Sequence, residues 1–145
     1  MAAPTYTWEF VEDLFGDRVP KIVTMETSAS VETKIGTALI ITSGRLDEAT
    51  GTVVKLFGLA AEKTSAATSA GDPLKVAVLF DGAVIKGTAD ADASSLAGFN
   101  GKLGDFNSDG SLDVADASDG CLSVMRTEDS GLTVYCVATV GAIIP

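Results

Sequence analysis

An all-β fold is what this chain predicts, and three observations carry the prediction. Its apolar residues fall in short runs bounded by Gly-, Asp- and Ser-rich turns, the punctuation of strands rather than of helices. No stretch between residues 31 and 88 holds helical periodicity long enough to form a stable helix. The 145 residues, 46% hydrophobic, suffice for one packed core. An all-β sandwich or small barrel follows.

Three zones order the chain. Residues 1–30 hold the single tryptophan, Trp8, together with Tyr6, Phe10 and Phe15. Trp8, Val11 and Phe15 are spaced i, i+3, i+7, which suits one short amphipathic turn or helix that Gly16 and Pro20 then break. Aromatic residues gathered at a terminus either cap the domain's own core or form an arm that packs on another chain. The expected division is an N-terminal arm over 1–30 and a β-domain over 31–145. Removing residues 1 to 20 should then leave the folding of the isolated protein nearly unchanged.

Residues 31–88 read as strands. Thr37–Thr42 lies between Gly36 and Ser43-Gly44, Thr52–Leu59 follows a further Gly turn, and Lys75–Phe80 and Ala83–Lys86 flank Asp81-Gly82. An Asp-Gly pair between β-prone runs predicts a type I′ hairpin, since both turn residues need positive φ. Between these runs the Ser/Thr/Ala-rich stretch 62–73 reads as a surface loop.

Residues 89–145 carry the charge. Nine acidic residues stand against Lys102 and Arg126, so −7 of the net −10 lies in this part. Cys121–Arg126 and Leu132–Val140 read as two strands around a turn at 127–131. In the second, Leu132, Val134, Cys136, Ala138 and Val140 share one face. Cys136 is thereby expected as a buried thiol, and Cys121 with it.

Composition excludes much chemistry. With no histidine, Ser-His-Asp and Cys-His nucleophiles and His-ligated zinc or iron are ruled out. The acidic balance argues against a nucleic-acid partner. No basic n-region precedes an apolar segment and no apolar run approaches membrane length, so neither an export signal nor a membrane anchor is expected. No phosphate-binding or nucleophile-elbow motif occurs. The expectation is a protein that is not an enzyme and needs no cofactor.

One motif stands out. Asp105–Asp116 (DFNSDGSLDVAD) places Asp105, Asn107, Asp109, Gly110, Asp113 and Asp116 at positions 1, 3, 5, 6, 9 and 12 of an EF-hand-like calcium loop. Its flanks lack helices and position 12 is Asp rather than Glu. The leading reading is an acidic surface loop turned by Asp-Gly, with no metal. A calcium-stabilised β-module with an adhesion or ligand-binding role is therefore the alternative functional reading. Asp90 and Asp92 read as a solvated loop.

A broader pattern runs from Val31 to the final strand. It comprises Val31 with Gly36-Thr37-Ala38-Leu39-Ile40, then Gly44-Arg45-Leu46, then Gly58-Leu59-Ala60-Ala61-Glu62 and a Thr/Ser/Ala loop. Gly71-Asp72-Pro73-Leu74-Lys75-Val76 enters the next strand, and Gly101-Lys102-Leu103-Gly104-Asp105 opens the closing half. In this the chain resembles the capsid decoration (cement, head-stabilising) proteins of tailed bacteriophages. The resemblance implies a small β-barrel or β-tulip-like domain with an extended N-terminal arm. It also implies a homotrimer on the outer surface of the virion, assembled in the host cytoplasm, with the major capsid protein as partner. Tyr6, Trp8, Phe10 and Phe15 become the candidate capsid contacts.

Overall fold

A computed structural model describes residues 3–51 and 53–140. Among these, eleven strands run in the order β1 (Glu9–Asp13), β2 (Lys21–Glu26), β3 (Ala38–Thr42), β4 (Arg45–Glu48), β5 (Gly58–Ala60), β6 (Pro73–Val78), β7 (Ala83–Thr88), β8 (Asp105–Phe106), β9 (Leu112–Asp113), β10 (Leu122–Glu128) and β11 (Thr133–Ala138). Only two short 3-10 turns, Ser94–Leu96 and Asp129–Gly131, interrupt them. The protein is all-β, as its punctuation predicts.

The strands form a four-stranded sheet β1-β7-β11-β10, a five-stranded sheet β2-β6-β5-β3-β4 and a two-stranded ribbon β8-β9. Every ladder is antiparallel. One face of the four-stranded sheet carries the row Phe10–Ile85–Cys136–Val124 toward the core. There it meets Ala38 and Leu59 of the second sheet and Phe106 and Leu112 of the ribbon. Burial of these side chains is the main stabilising term, at roughly 25 cal/mol per Å² of apolar surface.

The five-stranded sheet has a core of its own. Leu39, Leu46, Phe57, Ala60, Leu74 and Val76 pack together on its other face. The sheet rolls until its two edges touch, where Thr27 just past β2 bridges Leu46 of β4 and the Ser28 N–H donates to the Leu46 carbonyl (2.9 Å). A single bridge does not make a ladder, so the described strands of this sheet form an open roll. Segments 30–33 and 64–68 lie alongside each other through paired threonines. The Val31 and Thr33 N–H groups donate to the hydroxyls of Thr68 and Thr64. The Ser/Thr/Ala-rich loop thus has a structural role.

Four expectations are corrected by the strand pairing. The N-terminal arm expected over 1–30 is not free where it is described: β1 pairs with β7 and β2 with β6, so the segment supplies an edge to each sheet. No helix forms at Trp8–Phe15. Trp8 and Phe10 follow the two-residue period of a strand, and a bulge at Val11 shifts the register after Phe10. The Asp81-Gly82 hairpin is absent because β6 and β7 belong to different sheets. Gly82 has φ +88° while Asp81 is not left-handed, so the turn closed by the Ala83 N–H on the Phe80 carbonyl is not type I′. Of the run 52–59, Thr52 lies outside the described residues and only Gly58 and Leu59 are in a strand. Leu56 instead crosses to bridge Val140, while Phe57 reaches the second core.

The hairpin predicted at the C-terminal end is present. β10 and β11 pair around Asp129–Gly131, where three successive residues take positive φ. Cys121 and Cys136 are free and fully buried, Cys136 on the face that the alternation predicts.

Candidate functional site

The four aromatic residues singled out at the N-terminus divide into two environments. Trp8 is 2% exposed. Its ring covers Gly87 of β7, where any Cβ would collide with the indole, and meets Phe106 edge-on at 5.8 Å. The indole N–H donates to the Gly110 carbonyl (2.8 Å) and the backbone N–H to that of Gly36 (2.8 Å). Phe10 is half-buried against Phe80 at 5.8 Å. Tyr6 is exposed, yet its backbone N–H donates to the Asp109 carbonyl (2.8 Å). Residues 4–8 are therefore a strap across the 105–112 loop.

Phe15 is 76% exposed, and it has company. Leu14 and Val19 (73%) are exposed beside it on the connection between the edge strands β1 and β2, and Val11 of β1 and Ile22 of β2 (59%) are exposed at its two ends. This ridge is built, not loose. The Asp13 carboxylate accepts the backbone N–H groups of Phe15 (2.9 Å) and Arg18 (3.1 Å) and the Arg18 Nε–H (2.8 Å). Those contacts, the Arg18 guanidinium first, hold the Asp13 carboxyl down at about 2. Arg18 also donates to the Asp81 carbonyl (2.8 Å) and stacks on Phe80 at 4.2 Å. The Phe15 ring lies over Gly82, where a Cβ would strike it.

In the EF-hand-like loop the side chains at positions 3 and 5 are engaged within the protein. Asp109 accepts the Ser111 N–H (3.0 Å) and hydroxyl (2.6 Å), and those two bonds lower its pKa. The Asn107 amide donates to Asp90 (2.9 Å) and to the Ser111 hydroxyl (3.0 Å). Gly110 has φ +90°, and the Tyr6 carbonyl occupies the place of its missing Cβ. The glycine admits the N-terminal strap. Positions 1 and 12 do meet, and Asp119 joins them: the Asp105, Asp116 and Asp119 carboxylates lie within 4.8 Å of one another. Asp105 is buried and accepts the Val53 N–H at 3.3 Å. Burial raises its pKa, and the adjoining Asp116 and Asp119 add to the rise.

Asp90 and Asp92 are exposed, as expected, and each also fastens a turn. Asp90 accepts the Val114 N–H (3.1 Å), and Asp92 accepts the Ser94 N–H (2.9 Å) and hydroxyl at the first 3-10 turn. On the outer face of the four-stranded sheet, Glu9, Lys86, Tyr135 and Arg126 stand opposite one another across four strands. Arg126 stacks on the Tyr135 ring at 3.6 Å, and the Tyr135 hydroxyl donates to Glu128 (2.7 Å). That row was not anticipated, because only the register brings it together. The two thiols are poor nucleophiles, since burial pushes Cys121 up to about 12 and raises Cys136 as well.

The class these features define is a β-sandwich domain with a rolled second sheet and a preorganised apolar ridge between two edge strands. Compared with protein families, curated proteins and solved structures, the chain matches none. No helix among the described residues is long and apolar enough to cross a membrane.

Proposed function

We propose that this chain is a structural protein of a tailed-phage head. It decorates the outer surface of the expanded capsid through protein–protein contacts, as a homotrimer and without enzymatic activity. The observation that carries this reading is the exposure of Leu14, Phe15 and Val19 on the connection that the Asp13–Arg18 contacts fix, with Ile22 exposed on the adjoining strand. Such a surface gains free energy only when another protein covers it, and a fixed turn loses little entropy on docking. Repeated around a shell, modest contacts of this kind combine into high avidity. The concentration of acidic residues after residue 88 accords with a face turned to solvent, where like charge keeps particles apart.

The test is co-sedimentation of the purified chain with expanded, undecorated shells of its own phage, followed by imaging of the particles. The reading expects saturable binding and added density at three-fold positions. It also expects binding to be lost in the Phe15→Asp, Val19→Asp double variant. A chain that stays in the supernatant and remains monomeric at high concentration overturns the proposal.

A further inference from the structure

The chain contains two asparagines, Asn100 and Asn107, whose side-chain amides both donate hydrogen bonds, Asn100 to the Ser95 carbonyl, but whose following residues differ. Asn100 lies in the exposed loop between the first 3-10 turn and β8, and it is followed by Gly101. Just upstream, the Gly98 and Phe99 N–H groups donate to the carbonyls of Met125 (3.0 Å) and Val124 (3.0 Å), pinning the loop along the edge of β10. Phe99 is left-handed at φ +53° and Gly101 at φ +87°. Nothing lies within 4 Å of the place a Gly101 Cβ would take. The Asn100 Oδ1 accepts the Lys102 N–H (3.3 Å), which folds the side chain back over the intervening Gly101 peptide. Among the described residues, the Gly101 N–H has no hydrogen-bond acceptor.

From this geometry we infer that Asn100 is a site of spontaneous deamidation. The Gly101 backbone nitrogen gives up its proton and attacks Cγ of Asn100, forming a five-membered imide. The Cγ–Nδ2 bond breaks and the nitrogen leaves as ammonia, carrying that proton. Water then opens the imide at either carbonyl, giving aspartate or an isoaspartate whose backbone is longer by one methylene. Glycine admits the attack because no side chain shields its nitrogen. The Lys102 N–H on Oδ1 stabilises the negative charge that develops there, as any donor aimed at a forming oxyanion does. Each event adds one negative charge to the acidic part of the chain, and the isoaspartate branch lengthens the loop covering β10.

Asn107 supplies the internal control. Its amide donates to Asp90 and Ser111, its own N–H donates to the Ser111 carbonyl (2.9 Å), and the residue after it is Ser108. Tryptic cleavage after Lys86, Lys102 and Arg126 places the two asparagines on separate peptides. The full folded chain is held in mildly alkaline buffer and its peptides are weighed over time, with a denatured sample alongside. The 87–102 peptide should gain about one dalton and split into two isomers, while the Asn107 peptide keeps its mass. Asn100→Gln should abolish the gain and Gly101→Ala should slow it. Equal conversion of both peptides overturns the inference. So does an Asn100 that is preserved in the folded chain while the denatured sample converts.

Discussion

The segment 4–10 and the segment 11–22 are neighbours in sequence with similar apolar content, yet one is core and the other is surface. In the first, Trp8 and Phe10 alternate with Glu9 at the period of a strand, and each finds a glycine or ring shaped to receive it. In the second, the bulge at Val11 and the turn at 14–20 break that period, and Phe15 and Val19 are left in water. Aromatic content therefore does not separate an anchor of the domain's own fold from an anchor for a partner. Period and the presence of a receiving cavity do.

The largest test of this division is truncation. Deleting residues 1–20 removes β1 and the indole from the core, so the isolated chain should lose its cooperative melt by circular dichroism. This replaces the expectation of a dispensable arm. Trp8→Ala alone should destabilise the protein by about 3–5 kcal/mol, the range for removing a buried aromatic side chain. Chemical denaturation followed by circular dichroism measures it, since the variant lacks the only tryptophan. A loss below about 1 kcal/mol would return the strap to the role of a free arm.

Gly110→Ala tests the other partner of the strap. The substituted residue would hold a left-handed φ and press on the Tyr6 carbonyl, so a loss of about 1–3 kcal/mol is expected. If the variant retains full stability, the 105–112 loop does not depend on its contact with residues 4–8.

Asp105 sits on the same loop, and its effect should be smaller and dependent on pH. Its folded pKa is raised, first by burial and then by Asp116 and Asp119. A group shifted this way contributes stability below its unfolded pKa and loses that contribution as pH rises through the folded value. Asp105→Asn keeps an acceptor for the Val53 N–H and places an amide donor beside Asp116. Its melting temperature should exceed the parent's by a few degrees at neutral pH, and the two should converge as pH falls into the carboxylate range. A variant that melts below the parent at neutral pH would mean that the ionised carboxylate is required there.

What could be read in advance follows the range of the forces involved. The β10–β11 hairpin was legible because alternation, turn residues and pairing partner all lie within twenty residues, and Cys136 fell on the buried face as counted. Tyr6, Trp8 and Phe10 also offered a two-residue period, but the competing i, i+3, i+7 spacing masked it. The division of β6 and β7 between sheets was not legible, because Asp81-Gly82 is compatible with a hairpin and with a crossing, and only distant partners decide. Gly110 is the same case at one residue. A glycine after aspartate fits a calcium loop and a close backbone approach alike, and the approaching Tyr6 is over a hundred positions away.

The smallest expected change in stability falls on the ridge, and that is what makes it informative. Phe15→Ser and Val19→Ser each remove an apolar side chain that is already mostly in water, so each should shift stability by no more than about 0.5 kcal/mol. The Asp13–Arg18 clasp uses the backbone N–H of residue 15 and not its ring, so the turn should survive both changes. The same variants should weaken binding to expanded shells or self-association far more than they change folding, which sedimentation beside a melt would show. If Phe15→Ser instead costs several kcal/mol, its ring over Gly82 belongs to the core. The contrast between the two N-terminal segments would then collapse, and with it the observation on which the proposed function rests.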